Sequence, residues 1–199
     1  MTDCVTGAVL AGGRSSRFGS DKTRAPWHGG TLTGSVVASL SSLLPGVLVI
    51  GKDPSVCAGL ESPARFVRDE SNDFHPIVGI LAALKAAETD RVFVSACDMP
   101  LLSPEIVRAL CEASPGYAAA TPVWDGRSQP LCAVYSKECA GVLRLLLAEG
   151  RPVRELFDVV KTRFLSVGEI LAADPSGNSF RDIDTPEDYA SAKSVSRDA

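Results

Sequence analysis

Apolar residues in this chain come in short unbroken runs rather than in strict alternation. Residues 5–10, 47–50 and 92–95 each read as a strand, and 65–68 as a shorter one. Strands that are apolar throughout belong to a sheet covered on both faces. Between them the spacing turns helical. Residues 35–44 carry apolar side chains at 36, 37, 40, 43 and 44, and the Pro45-Gly46 pair ends that run. Residues 80–87 and 104–113 also read as helices, the latter announced by Ser103-Pro104, a hydroxyl cap followed by a proline whose missing N–H costs nothing there. This strand–helix alternation predicts a doubly wound, mostly parallel sheet. Beyond residue 113 the pattern changes. Residues 117–122 and 131–135 flank a turn-like Trp124-Asp125-Gly126, which predicts a small antiparallel excursion. A helix is expected over 138–148, and Thr185-Pro186-Glu187-Asp188 caps a last one. No linker or internal repeat interrupts the pattern. The expectation is a single three-layer α/β/α, Rossmann-like domain over residues 1–199.

Composition narrows the function classes. The chain has 199 residues, 45% of them apolar and 22% charged, with a net charge of -4 and no basic tract. A phosphate-neutralising face for nucleic acid is therefore not expected. No apolar run approaches the ~20 residues that cross a bilayer, and the N-terminus lacks a charged region followed by an apolar one. A cytoplasmic protein without membrane contact is the expectation. Six cysteines, at 4, 57, 97, 111, 132 and 139, follow no C-x-x-C spacing, and only His28 and His75 accompany them. They read as reduced thiols used as small apolar residues rather than as a zinc site.

Chemistry concentrates where strands end. In an open parallel sheet, ligands sit beyond the carboxyl ends of the strands. The first strand runs directly into "LAGGRSSRFGSDK", residues 10–22. Glycines at 12 and 13 let backbone N–H groups approach an anion closely, and Arg14, Arg17 and Lys22 supply charge suited to a polyphosphate. The alternative is a surface turn with incidental charges. The spacing excludes both the Walker loop and the dinucleotide fingerprint, since Gly13 and Gly19 are six apart and no G-x-G occurs. The fourth strand carries Asp98 to its end in "VFVSACDMP". A carboxylate placed there can hold Mg²⁺ beside a triphosphate, or it can cap the segment near Ser103. Asp69, in "RFVRDES", ends the short strand, and by itself reads as solvated turn chemistry.

The loop closely resembles the L-A-G-G-x-S-x-R-M-G-x-D-K signature of the molybdenum cofactor guanylyltransferases, with Phe18 in place of methionine. These are glycosyltransferase-A-like nucleotidyltransferases, with a nucleotide-diphospho-sugar-transferase-like sheet. The resemblance runs from Gly7 to about Tyr189. It implies that Leu10, Ala11, Gly12, Gly13, Lys22, Gly51, Asp69 and Asp98 contact the nucleotide. Asp98, in a C-D-x-P motif, would be the Mg²⁺ ligand, and Lys22, Arg17 and Asp98 would be catalytic. "FHPIVGILAAL" resembles the family's G-P-L-A-G-I-x-A-A-L segment, with His75 where glycine is usual. "SFRDIDTPEDY" resembles F-x-N-x-N-T-P-E-D-L with aspartates at 182 and 184, so Asp184 is either a further metal or substrate contact or part of the last helix's cap. Gly51 stands where the family has an asparagine near the base, with Lys52 beside it. Arg127, Gln129 and Arg151 are the candidates on the pterin side.

The reaction implied is transfer of GMP from GTP to the phosphate of molybdopterin, with pyrophosphate released and Mg²⁺ as cofactor. Other molybdenum cofactor biosynthesis proteins and acceptor molybdoenzymes would be protein partners. Cytidylyl transfer, a sugar-phosphate acceptor and non-catalytic nucleotide binding remain open as alternatives, since fold alone does not fix chemistry.

Overall fold

The computed structural model describes residues 4–12, 22–71 and 75–194. Strand β1 (Val5–Leu10) is followed by a two-stranded hairpin, β2 (Pro26–Trp27) and β3 (Gly30–Thr31), and by helix α1 (Leu32–Ser41). Next come β4 (Val47–Gly51), β5 (Arg65–Arg68), α2 (Pro76–Ala86), β6 (Arg91–Ala96) and α3 (Pro104–Ala113). The later half holds β7 (Ala119–Trp124), β8 (Arg127–Ser128), β9 (Cys132–Ser136), α4 (Cys139–Ala148), α5 (Leu156–Val159), β10 (Thr162–Leu165), α6 (Val167–Ala173) and α7 (Pro186–Lys193).

The large sheet is ordered β10-β7-β9-β6-β1-β4-β5, with β8 paired to β7 alone. β1 pairs in parallel with β4 and β6, and β4 with β5. β9 runs antiparallel to both of its neighbours. The sheet is thus mostly parallel, with the antiparallel excursion where the sequence pattern changes.

Side chains of β1 divide between two cores because successive residues point to opposite faces. Val5 and Val9 pack with Val36, Val37 and Leu40 of α1 and with Ile106, Val107 and Leu110 of α3. Ala8 and Leu10 pack with Ile77, Ile80 and Leu84 of α2 and with Leu143 and Leu146 of α4. Each such aliphatic side chain, fully buried, contributes about 1.5–3 kcal/mol before entropy is counted. Gly7 lets α1 lie close: a Cβ there would meet the side chains of Leu44, Leu40 and Val47 at 3.1 to 3.3 Å.

Helix boundaries differ from the sequence expectation where a cap governs them. α1 starts at Leu32 rather than at 35, because the Thr31 hydroxyl accepts from the Gly34 N–H, and it stops at Ser41. α2 starts at Pro76 rather than at 80, because the His75 ring caps it by accepting from the Ile77 N–H at 3.3 Å. The turn after β7 is tighter than expected. Asp125 and Gly126 both take left-handed conformations (φ 49° and 71°), and the strand closing the hairpin is β8 rather than β9. Ser103 caps α3 as its sequence announces, and Thr185 with Asp188 forms a reciprocal capping box on α7.

All six cysteines are free thiols. Burial pushes the Cys111 thiol up to about 12 and the Cys139 thiol up to about 11. In the native protein at pH 8, a soluble disulfide reagent is expected to modify the exposed Cys4 and, more slowly, Cys57. The thiols at 111, 132 and 139 should react only with the rate of unfolding. Stoichiometric labelling of all six before denaturation would contradict this burial.

Candidate active site

Two features of the sheet open a cleft. The connection from β1 through α1 leads to β4 on one side, and the connection from β5 through α2 leads to β6 on the other. The β1–β6 pair is therefore the point where strand order reverses, and ligands of open α/β sheets bind outside the carboxyl ends there. A cleft of about 130 Å³ lies at that place, lined by Leu10, Gly12, Asp69, His75, Asp98 and Leu131 among others.

Ladder hydrogen bonds that continue past the strands hold its rim. The Ala11 N–H donates to the Ile50 carbonyl at 2.8 Å, Cys97 N–H to Leu10 at 3.2 Å, and Asp69 N–H to Gly51 at 2.8 Å. Leu10, Gly12, Asp69 and Asp98 are thereby brought to one cleft. Ala11 packs into the core under α1, and Gly51 is buried behind it. A Cβ at Gly51 would meet the Ala11 carbonyl oxygen at 3.5 Å and the Phe66 ring at 3.6 Å, ordinary contact distances. Gly13 and Arg17 lie outside the described residues, as does the side chain of Lys22, whose backbone opens a short 3-10 turn over Lys22–Arg24.

The two acids differ in their surroundings. Asp69 is no solvated turn residue: its side chain is 8% exposed and pairs with Lys52 Nζ at 3.3 Å. Its Oδ1 accepts from the Ser71 N–H at 3.0 Å, and Lys52 also donates to the Ser71 carbonyl. Sequence reasoning missed this pair. The register that sets Gly51 beside Arg68 also sets Lys52 beside Asp69, so the pair becomes visible once β4 and β5 are known to be neighbours. Asp98 is half-buried, and the N-cap of α3 is Ser103.

A strap from the C-terminal part braces Asp98. Asp174 accepts from the N–H and hydroxyl of Ser176, at 3.1 and 2.6 Å, and of Ser179, at 2.9 and 2.7 Å. Burial alone would raise its carboxyl, but these four donors outweigh it and hold it below the ordinary range. The Ser179 hydroxyl accepts in turn from the Ser103 N–H, and Phe180 stacks on Trp124 at 5.1 Å. Ile183, fully buried, donates its N–H to the Asp98 carbonyl at 3.0 Å. Asp184 is exposed beside it. Its backbone N–H reaches the Asp188 carboxylate at 3.3 Å, while the cap side chains are Thr185 and Asp188.

The pterin-side candidates stand outside the cleft lining. Arg127 is exposed on β8, in the hairpin that follows the carboxyl end of β7. The Gln129 amide reaches the carbonyls of Trp124 and Arg127, bracing that hairpin. Arg151 is held on the surface by Glu149 and Glu155.

Among the described residues no three His, Cys, Asp or Glu side chains form a metal cage. A cation at Asp98 would take most of its oxygens from phosphate and water, which is how Mg²⁺ is commonly held. The donor chemistry of Asp98 fits that role. No helix among the described residues is long and apolar enough to cross a membrane.

Residues 7–163 match the family model of the MobA-like NTP transferase domain. A molybdenum cofactor guanylyltransferase of Desulfosudis oleivorans is 30% identical over 197 residues, 97% of this chain and 96% of that one. A protein of Pelotomaculum thermopropionicum, named "Probable molybdenum cofactor guanylyltransferase", is 33% identical over 190 residues, 95% and 92% of the two chains. Among solved structures, the molybdopterin-guanine dinucleotide biosynthesis protein A of Archaeoglobus fulgidus superposes with a TM-score of 0.79 at 27% identity, covering 94% of this chain and 96% of that one.

The strap predicts a pH effect. Because Asp174 is depressed in the native state, its contribution to stability is full above the unfolded value of ~4. That contribution is lost as pH falls through the lower native value. Asp174→Asn should cost on the order of 1–3 kcal/mol at pH 7 and flatten the acid limb of the stability curve. Urea titrations of both proteins from pH 7 to pH 3 test this, and parallel curves would remove the charge from the account.

Proposed function

Because the chain belongs to the MobA-like NTP transferase family, we propose that this nucleotidyltransferase joins GMP from GTP to the phosphate of molybdopterin. The products are molybdopterin guanine dinucleotide and pyrophosphate. The observation that carries this reading is the cleft at the strand-order reversal, where the start of the glycine-rich loop, Asp69 and Asp98 meet. The names of the relatives support the choice of substrates.

The acceptor phosphate supplies the nucleophile, so the protein needs no covalent intermediate. Its work is alignment and charge neutralisation, which can supply most of the acceleration of a phosphoryl transfer. Gly12 and Gly13 amides, Arg17 and Lys22 receive the β- and γ-phosphates and balance charge as pyrophosphate departs. Asp98 would hold Mg²⁺, with Asp184 as a candidate second ligand, and the ion would supply positive charge that offsets that of the phosphates. Asp69, with Leu10 beneath, faces the nucleoside. Arg127 and Gln129 present the hairpin toward the pterin, and Arg151 is a more distant candidate. The reaction belongs in the cytoplasm, where acceptor molybdoenzymes and other cofactor biosynthesis proteins would receive the product.

Pyrophosphate release with each of the four nucleoside triphosphates, with and without molybdopterin, tests the reading. Release is expected with GTP and only when the pterin is present. Preference for CTP would move the assignment to cytidylyl transfer, and binding without turnover would leave a nucleotide-binding protein. Asp98→Asn should lower turnover by two orders of magnitude or more, each factor of ten being about 1.4 kcal/mol in the barrier. Thermal stability of that variant should be retained. Near-native turnover with an unchanged Mg²⁺ requirement would show that the ion is held elsewhere.

A further inference from the structure

Asp69 poses an electrostatic problem. A largely buried carboxylate lines a cleft meant for a polyanion, and its Oδ2 would lie 3.9 Å from a Cβ on Gly12, where the phosphate loop begins. An uncompensated charge there would be costly to bury and would repel phosphate. Lys52 meets it. Its ammonium, on a side chain 31% exposed, pairs with Oδ2, while Oδ1 is held by the Ser71 N–H. The same ammonium donates to the Ser71 carbonyl, so one cation fixes both the acid and the turn that follows it. Gly51, at the end of the same strand, has no side chain to share this task.

We infer that Lys52 is a positioning residue for the nucleotide: it orients and neutralises Asp69, which then accepts a neutral O–H or N–H donor of the nucleoside. This rests on the nucleotide-binding reading above and goes beyond it in assigning Lys52. The neutralised pair tolerates a polyphosphate nearby, while Asp69 keeps lone pairs for a donor from ribose or base. Without Lys52, the Asp69 carboxylate loses its orienting contact and can turn away, which weakens nucleoside recognition. Lys52 touches no reacting atom, so its loss should act on binding rather than on chemistry.

A double-mutant cycle tests this with GTP binding measured by calorimetry and with steady-state kinetics. Lys52→Met keeps the aliphatic stem and should raise the Kd and KM for GTP on the order of tenfold, about 1.4 kcal/mol, with kcat within a factor of about two. Lys52→Arg should restore most of the affinity. In Asp69→Asn the carboxylate is gone, so adding Lys52→Met should cost little more, and the two losses should be strongly non-additive. Repeating the Asp69→Asn measurement with 2′-deoxyGTP and with ITP identifies the donor, because the analogue lacking it shows no further penalty. Additive losses, or unchanged GTP affinity in Lys52→Met, would overturn the inference even where wild-type turnover upholds the proposed function. A wild-type protein that binds GTP but transfers no GMP would fail the proposed reaction and leave the binding cycle decisive. Absence of nucleotide binding by the wild type would overturn both.

Discussion

The structure depends on β1 being hydrogen-bonded on both edges to strands whose onward connections leave in opposite directions. A strand so placed can expose neither edge nor face, which is why the side chains of residues 5–9 are buried and all but Thr6, which hydrogen-bonds Thr89, are apolar. The parallel ladders to β4 and β6 run past the last strand residues, through Ala11, Asp69 and Cys97. Those extra rungs deliver the ligand-facing residues to a common level. The cleft is therefore a consequence of the pairing that builds the core, since the connections diverge at the carboxyl ends of β1 and β6.

A second brace acts from the other side of the chain. Residues 174–183 have little regular structure, yet four donors on one carboxylate and an aromatic stack fix their path. Gly177 takes a left-handed conformation there (φ 64°), and a Cβ on it would lie 2.7 Å from the Trp124 ring, so both space and backbone require glycine. The strap ends by donating a hydrogen bond to the main chain of Asp98. Asp98 is thus held by the sheet on one side and by a polar anchor on the other. Such over-determination is what a residue asked to position a charge requires.

Much of this was legible in the sequence. Unbroken apolar runs predicted the parallel strands, because burial on both faces erases alternation, and the motifs placed Gly12 and Asp98 at strand ends where the cleft lies. Short elements were not legible. β2, β3 and β8 have two residues each, too few to carry a period, and β10 was missed at the sheet's edge, where Phe164 is half-exposed. Helix starts were misplaced by three or four residues where the cap preceded the apolar stripe, at Thr31 and at His75. The Lys52–Asp69 pair was hidden for a different reason. It depends on which strands are neighbours and in what register, information that no local pattern holds.

The two acids stand at the same end of the sheet in different surroundings. Asp69 follows β5 and Asp98 follows β6, three strand steps apart in the order β6-β1-β4-β5. At ~4.8 Å a step this separates their strands by about 14 Å, a span comparable to a nucleotide. At one end Asp69 is paired with the Lys52 ammonium. At the other end Asp98 faces the cleft as a hard oxygen donor suited to a divalent cation. On the proposed function, a triphosphate laid between them would have its nucleoside at the Asp69–Lys52 pair and its phosphates toward Asp98.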